Sequence, residues 1–209
     1  MSRRLTMLLA ALALGASVTA SAGQRTLTLD PGGTKVSFTL VATLHTVHGS
    51  APLAHGVVVF DTDGGVASGE VAVDAAGADT GSAKRDKEMH ESVLVSARYP
   101  TVVLRPARVE GRLPEAGTTT LTVRGTIELL GSQHEIAVPV EVAVAGNEVT
   151  IRAEFDLPYV EWGLHDPSAF LLKVDRFVTV AVAGAGTLSA GPDSAGEPAA
   201  PSAQDQPQP

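Results

Sequence analysis

The chain has 209 residues, a formal net charge of −8, no cysteine and only 4% aromatic residues. The lack of cysteine excludes disulfide bonds and thiol chemistry, so stability has to come from packing and backbone hydrogen bonds. The acidic balance argues against nucleic acid and anionic surfaces as partners, and the aromatic residues are too few for the girdles of a membrane-spanning barrel. We therefore expect a soluble protein that binds no nucleic acid and does not span a membrane.

The two ends of the chain differ in composition from its middle. Residues 1–22 have the basic start, the apolar stretch and the small-residue cleavage site of a secretory signal peptide. Residues 189–209 are rich in Ala, Pro and Ser and contain no large apolar side chain, which predicts a disordered tail. One folded domain is therefore predicted over residues 24–188, in a protein that is periplasmic or secreted after cleavage near Ala22.

The middle of the chain is predicted to form β-strands, because apolar and polar residues alternate along most of it. Strand patterns cover residues 25–30, 34–44, 56–61, 66–74, 101–109, 119–130, 133–145, 148–157 and 171–183. We expect a loop over residues 45–55 and a second loop over residues 158–169. Residues 82–94 are charged and carry late apolar residues, which predicts a helix of about three turns with Ser82 as its N-cap.

Short turns at residues 131–132 and 146–147 indicate that the last strands form an antiparallel meander. The sequence thus predicts an all-β fold with one short helix, in which about eight strands form a closed or sandwiched sheet. An eight-stranded barrel has an interior wide enough for side chains or for one small ligand. The same apolar faces fit both a ligand cavity and a solid core.

The apolar faces of the predicted strands supply the candidate ligand-binding residues. One strand presents Phe38 and Leu40 on the same face, and two later strands present Val123, Ile127 and Val138. The other candidates are two phenylalanines, a residue at the barrel mouth and the single tryptophan: Phe155, Phe170, His45 and Trp162. Trp162 lies in a predicted loop, where it is either a lid over the cavity or a plug at one end of the barrel.

Three histidines in the predicted loop 45–55 suggest an alternative function. His45 and His48 would point to opposite faces of a strand, so a chelating group with His55 requires a loop there. Gly49 and Pro52 favour such a loop, but no cysteine or carboxylate cluster accompanies the histidines. A metal- or haem-associated periplasmic protein using His45, His48 and His55 remains an alternative, and a non-catalytic stress-related interaction module is another.

No pattern of residues indicates catalysis. The chain has neither a Gly-x-Ser-x-Gly elbow nor a glycine-rich phosphate loop. The charged residues Arg85, Asp86 and Glu88 are interpreted as helix-surface groups, with Arg85 or Asp86 tethering the helix to a neighbouring loop. We therefore expect no enzyme activity, no bound metal and no cofactor.

Several motifs follow one another in a characteristic order: Leu-Asp at 29–30 before Val-Ser-Phe at 36–38; His-Thr-Val-His-Gly at 45–49; Asp-Thr-Gly at 79–81 before Lys-Arg-Asp at 84–86 and Met-His at 89–90; Tyr-Pro at 99–100; and Val-Arg-Gly-Thr at 123–126 before His-Glu-Ile at 134–136. In these motifs the chain resembles the YceI-like family of exported proteins, which are described as lipid or polyisoprenoid binding. The resemblance spans about residues 25–188.

The resemblance implies a lipocalin-like, extended antiparallel β-barrel that holds a long apolar molecule, an isoprenoid or a fatty-acyl chain, in its lumen. It favours a hollow barrel over a packed one. It also implies an apolar lipid ligand as the partner of the protein, and it is compatible with a homodimer.

Overall fold

The computed structural model of the protein describes residues 23–168 and 173–191. The predicted signal peptide, the tail from residue 192 onward and Phe170 lie outside the described residues. In the described part, the elements in chain order are β1 (Gln24–Leu29), β2 (Lys35–Val41), β3 (Thr46–Asp61), β4 (Gly65–Asp74), α1 (Ala83–Glu88), the π-helical segment Met89–Val93, β5 (Thr101–Glu110), β6 (Gly117–Leu129), β7 (Ser132–Ala145), β8 (Glu148–Leu157) and β9 (Val178–Ala190).

The strands form one closed antiparallel barrel. Each strand from β3 to β8 pairs with the next in the chain, and β9 returns to pair with both β1 and β2. Because β1 and β2 also both pair with β3, they occupy a single position in the barrel, interrupted by a corner at residues 30–34. Nine strands therefore fill eight positions, which confirms the predicted antiparallel barrel of about eight strands. Neither helical segment of the described chain is long and apolar enough to cross a bilayer.

Two of the predicted strand boundaries are wrong. Residues 45–55 are not a loop, because β3 runs continuously through Thr46–Asp61 and pairs with β2 in its first half and with β4 in its second. The last strand begins at Val178 rather than at residue 171 and continues to Ala190, since its second half pairs with β1.

The barrel has two unlike ends. The packed end, where β1 begins and β9 finishes, is filled by a cluster of buried apolar side chains: Phe60, Ala67, Val109, Leu113, Leu121, Val142, Val144, Val149 and Leu188. The other end, which we call the helix end, carries the β2–β3 hairpin, the helical segments and residues 158–168 and 173–177. A smaller cluster of Leu129, Tyr159 and Leu164 lies there, with Leu94 and Trp162 packed against it.

The middle of the barrel is not filled. None of the large side chains in the described part of the chain is completely buried, whereas a packed interior of this size would contain several. The inward-facing side chains between the two ends are mostly valine, leucine and alanine, and they leave a large cavity between them. The barrel is therefore hollow at its centre.

The hollow centre predicts that replacing a valine by alanine lowers the free energy of unfolding more at the packed end than in the wall of the cavity. Val144→Ala at the packed end should lower the free energy of unfolding by about 2–3 kcal/mol, because two methyl groups leave tight packing and a new void remains. Val180→Ala in the wall of the empty region should cost about 1 kcal/mol or less, since a void is already there. Urea unfolding of both variants measures the difference, and equal costs would indicate a packed lumen.

Candidate functional site

The lumen forms a cavity of about 1220 Å³, which is larger than an ordinary small-molecule site. Its wall is almost entirely apolar and includes Leu104, Ile136, Val180 and Val182 at mid-height. On β6 the lining runs from Leu121 to Leu129, a stretch of about 26 Å along the strand and, for the usual strand tilt, about 20 Å along the barrel axis. The shape and chemistry suit one long apolar molecule.

Phe38 has a particular position in this wall. It lies on β2 directly opposite Gly49 of β3, and both residues are on the inward side. A methyl group at position 49 would overlap the ring of Phe38, so the ring rests on the bare backbone of the glycine. The glycine therefore lets the largest side chain of β2 lie against the wall instead of projecting into the lumen.

The structure places most of the predicted ligand-binding residues in the cavity wall. Seven of them line the cavity: Phe38, Leu40, His45, Val123, Ile127, Val138 and Phe155. Trp162 does not line it, and Phe170 lies outside the described residues. The prediction from sequence missed Leu53, which lay in the predicted loop 45–55, and Leu188, which lay beyond the predicted end of the last strand at residue 183.

Trp162 stacks on the ring of His134, with ring centroids 4.4 Å apart and an angle of 6° between the planes. His134 is on the inward side of β7, opposite Ile127 of β6. The stack therefore covers the top of β7 at the helix end, and the two roles predicted for Trp162, a lid and a plug, both stay predictions.

The mouth of the cavity is at the helix end. Exposed side chains of α1 and of the β2–β3 hairpin line the cavity there, including Lys84, Lys87, Glu88 and His45. The apolar residues Met89, Val93 and Leu94 also line it, so the helical segments lie across the opening with their apolar side toward the lumen. The helical prediction is thus confirmed, although Ser82 makes no side-chain capping bond and the last turn is π-helical.

Polar contacts hold the helix in this position. The hydroxyl and the backbone N–H of Thr80 donate to the Asp86 carboxylate at 2.6 and 2.9 Å, and the Arg85 guanidinium donates to the Thr80 carbonyl at 3.0 Å. These bonds from Thr80 favour the charged form and lower the pKa of Asp86 below its ordinary value. Arg85 and Asp86 therefore both tether the helix to the preceding loop, as their sequence context predicts.

His90 fixes the other end of the helical segment. Its Nε2 lies 2.9 Å from the Ala78 carbonyl oxygen and its Nδ1 lies 3.0 Å from the hydroxyl of the buried Ser96. Because a carbonyl only accepts, Nε2 is the donor, and in the neutral imidazole Nδ1 then accepts from the Ser96 hydroxyl. The sequence offered no signal for this bridge, which connects residues before and after the helix.

The structure does not bring the three histidines of the metal alternative together. His45 lines the mouth, whereas His48 bonds to Thr39 on the outer face of the barrel and His55 pairs with Glu70 there. They lie on or beside one extended strand, which separates their side chains. Among the described residues, no group of three or more His, Cys, Asp or Glu side chains could hold a metal ion.

Tyr159 anchors the loop that carries Trp162. Its ring is buried and its hydroxyl donates to the Asp175 carbonyl at 2.8 Å, which joins two segments of the helix end. Burial, together with the negative charges of Asp166 and Asp175, raises the pKa of Tyr159 to about 12.

The raised pKa of Tyr159 predicts a loss of stability in alkali. The ordinary tyrosine pKa is about 10, so between about pH 10 and pH 12 the unfolded chain releases this proton before the folded protein does. The contribution of the protonated Tyr159 to the free energy of unfolding is complete below about pH 10 and is lost as the pH rises through this range. Tyr159→Phe should cost about 1 kcal/mol near neutral pH and flatten this part of the pH profile of urea unfolding. Parallel profiles for wild type and variant would contradict the assignment.

The closed meander, the apolar lumen and the mouth at the helix end define a lipocalin-like barrel. The chain belongs to the YceI-like family, whose domain model matches residues 27–185. A polyisoprenoid-binding domain from Saccharophagus degradans, implicated in plant cell wall breakdown, has a TM-score of 0.61 at 14% identity, over 77% of this chain and 97% of that one.

Two further solved structures share the fold. BcnA from Burkholderia cenocepacia matches with a TM-score of 0.60 at 15% identity, covering 75% of this chain and 98% of its own. A YceI protein from Campylobacter jejuni matches with a TM-score of 0.50 at 12% identity, covering 66% of this chain and 80% of its own. The comparison with curated protein sequences finds no match.

Proposed function

We propose that the protein is an exported, non-catalytic binding protein that encloses one long apolar molecule, an isoprenoid or a fatty-acyl chain, in the barrel lumen. The observation that carries the proposal is the cavity of about 1220 Å³, which has an apolar wall and a polar mouth at the helix end. Each methylene group moved from water into such a wall contributes about 0.8 kcal/mol, so a long chain gains affinity from its length alone.

The mouth supplies the groups that would orient the ligand. His45, Lys84 and Lys87 lie at the opening, while the wall below them is aliphatic or aromatic. A polar head group would remain at this rim, where it keeps its hydrogen bonds, and the tail would enter the lumen. This arrangement needs no reacting group, because affinity comes from desolvation of the tail.

Two further observations support the proposal. A polyisoprenoid-binding domain has the same fold, which favours an isoprenoid among long apolar ligands. Residues 1–22 have the pattern of a signal peptide, which favours the periplasm or the exterior as the place of action. An extracytoplasmic carrier would shield its ligand from the water that separates one membrane from another surface.

Native mass spectrometry of the protein purified from a periplasmic fraction tests the proposal directly. We expect a 1:1 adduct whose mass, after extraction into organic solvent, is that of an isoprenoid or a fatty-acyl lipid. An apo mass that persists after incubation with both polyprenols and fatty acids would contradict the function.

A matched pair of variants shows whether the lumen is the binding site. Ala153→Phe places a ring inside the cavity at mid-height, and Ala183→Phe places the same ring on the outer face beside it. The first variant should lower the affinity for a long-chain lipid by about tenfold or more, because the ring occupies the path of the tail. The second should bind like wild type, and equal binding by both would place the ligand elsewhere.

A further inference from the structure

The exposed apolar side chains of the protein are unevenly distributed. Five large ones are exposed in the described part of the chain: Val41, Leu44, Val57, Val66 and Phe177. Val57 is on the barrel wall and Val66 is at the packed end, whereas the other three lie at the helix end. Leu44, at the tip of the β2–β3 hairpin, is the most exposed of the five at 78%.

Val41, Leu44 and Phe177 form one patch, which we call the hairpin patch. The backbone N–H of Asp175 donates to the Val41 carbonyl at 2.8 Å, and that of Thr43 donates to the Lys173 carbonyl at 2.9 Å. The bridge between residues 42 and 174 sets Val41 opposite Asp175, and Phe177 follows two residues later on the same segment. Backbone hydrogen bonds therefore hold the hairpin and the segment before β9 side by side.

The hairpin patch borders the mouth of the cavity. Ala42, His45 and Val174, which alternate with the exposed residues or lie next to them, line the cavity. Residues 42 and 174 also form a β-bridge with each other. The same two segments thus present one side to the lumen and an apolar side to the exterior, so the patch is continuous with the rim.

We propose that the hairpin patch docks on the surface of a phospholipid bilayer, with Leu44 inserted among the lipids beside the mouth. The inference rests on the proposed function in one respect, because a long apolar ligand is poorly soluble and has to reach the lumen without crossing water. A protein that stores such a ligand in a closed-ended barrel can exchange it only through the mouth. An apolar rim beside that mouth allows the protein to contact the lipid bilayer, in which the ligand is soluble.

The charges around the patch allow this contact although the whole protein is acidic. Lys173 and Arg176 are exposed there, and the carboxylate of Asp175 accepts the backbone N–H of Phe177 at 3.3 Å. Cationic groups beside exposed apolar side chains match the phosphate layer of a bilayer, with the apolar groups entering below it. Because the formal net charge of −8 would repel an anionic surface, the bilayer chosen as partner is zwitterionic.

Flotation of the ligand-free full-length mature protein with phosphatidylcholine vesicles tests the docking. Leu44→Asp and Val66→Asp form a matched pair, because the two side chains are 78% and 77% exposed at opposite ends of the barrel. Wild type and Val66→Asp should float with the vesicles. Leu44→Asp should partition about tenfold less strongly or worse, which is the loss expected when one aliphatic side chain can no longer be buried. Equal partitioning of all three, or no flotation of wild type, would overturn the proposal.

A transfer experiment separates docking from ligand binding. Phosphatidylcholine vesicles loaded with a pyrene-labelled fatty acid should deliver it to Leu44→Asp more slowly than to Val66→Asp, whereas both variants should take up equal amounts from ethanol. If no variant takes up the fatty acid from ethanol, the proposed function loses support, and flotation still decides the docking. If wild type is a dimer that Leu44→Asp converts to a monomer, and neither floats, the patch is an interface between copies and the docking proposal is wrong.

Discussion

The width of the lumen is set by backbone hydrogen bonds and not by the side chains inside it. Paired strands lie about 4.8 Å apart, and eight positions closed into a ring fix the diameter of the barrel. Valine, leucine and alanine dominate the inner wall at mid-height, and they do not reach across that diameter. The cavity follows from this mismatch between a fixed circumference and short side chains, and the stability of the protein depends on how the two ends are sealed.

Closure of the ring depends on the corner at residues 30–34. It divides one barrel position into β1 and β2, so that β9 and β3 both find partners along most of their length. The two halves also serve different ends of the barrel: Leu27 of β1 packs against the cluster at the packed end, whereas Leu40 of β2 contacts the cluster at the helix end. Without the corner, β3 and β9 would expose unpaired backbone groups, which would favour association with other chains.

The alternation of apolar and polar residues predicted correctly which side chains of β6 and β7 face the lumen. On these strands the leucine, isoleucine and valine residues face inward and most polar residues face outward, so polarity is enough to assign the two faces. The alternation did not predict the strand over residues 45–55, because the glycine, proline and histidines there are typical of a loop. Gly49 is acceptable in this strand because the ring of Phe38 covers it, and that is a contact with another strand which no local pattern contains. The local sequence pattern could not predict the hollow centre either. An inward-facing valine gives the same pattern whether it belongs to a packed core or to a cavity wall.

The two ends of the barrel are held together by different forces, and this difference matters for how a ligand could enter. A cluster of buried, mostly aliphatic side chains closes the packed end, and opening it would expose this cluster to water. The helix across the mouth is held largely by exposed or half-exposed hydrogen bonds, from Thr80 to Asp86 and from His90 to Ala78. Val95, which follows the helix, also has a φ of +46°, a conformation unfavourable for a β-branched residue. Water can replace these hydrogen bonds, whereas it cannot replace the apolar contacts that close the opposite end.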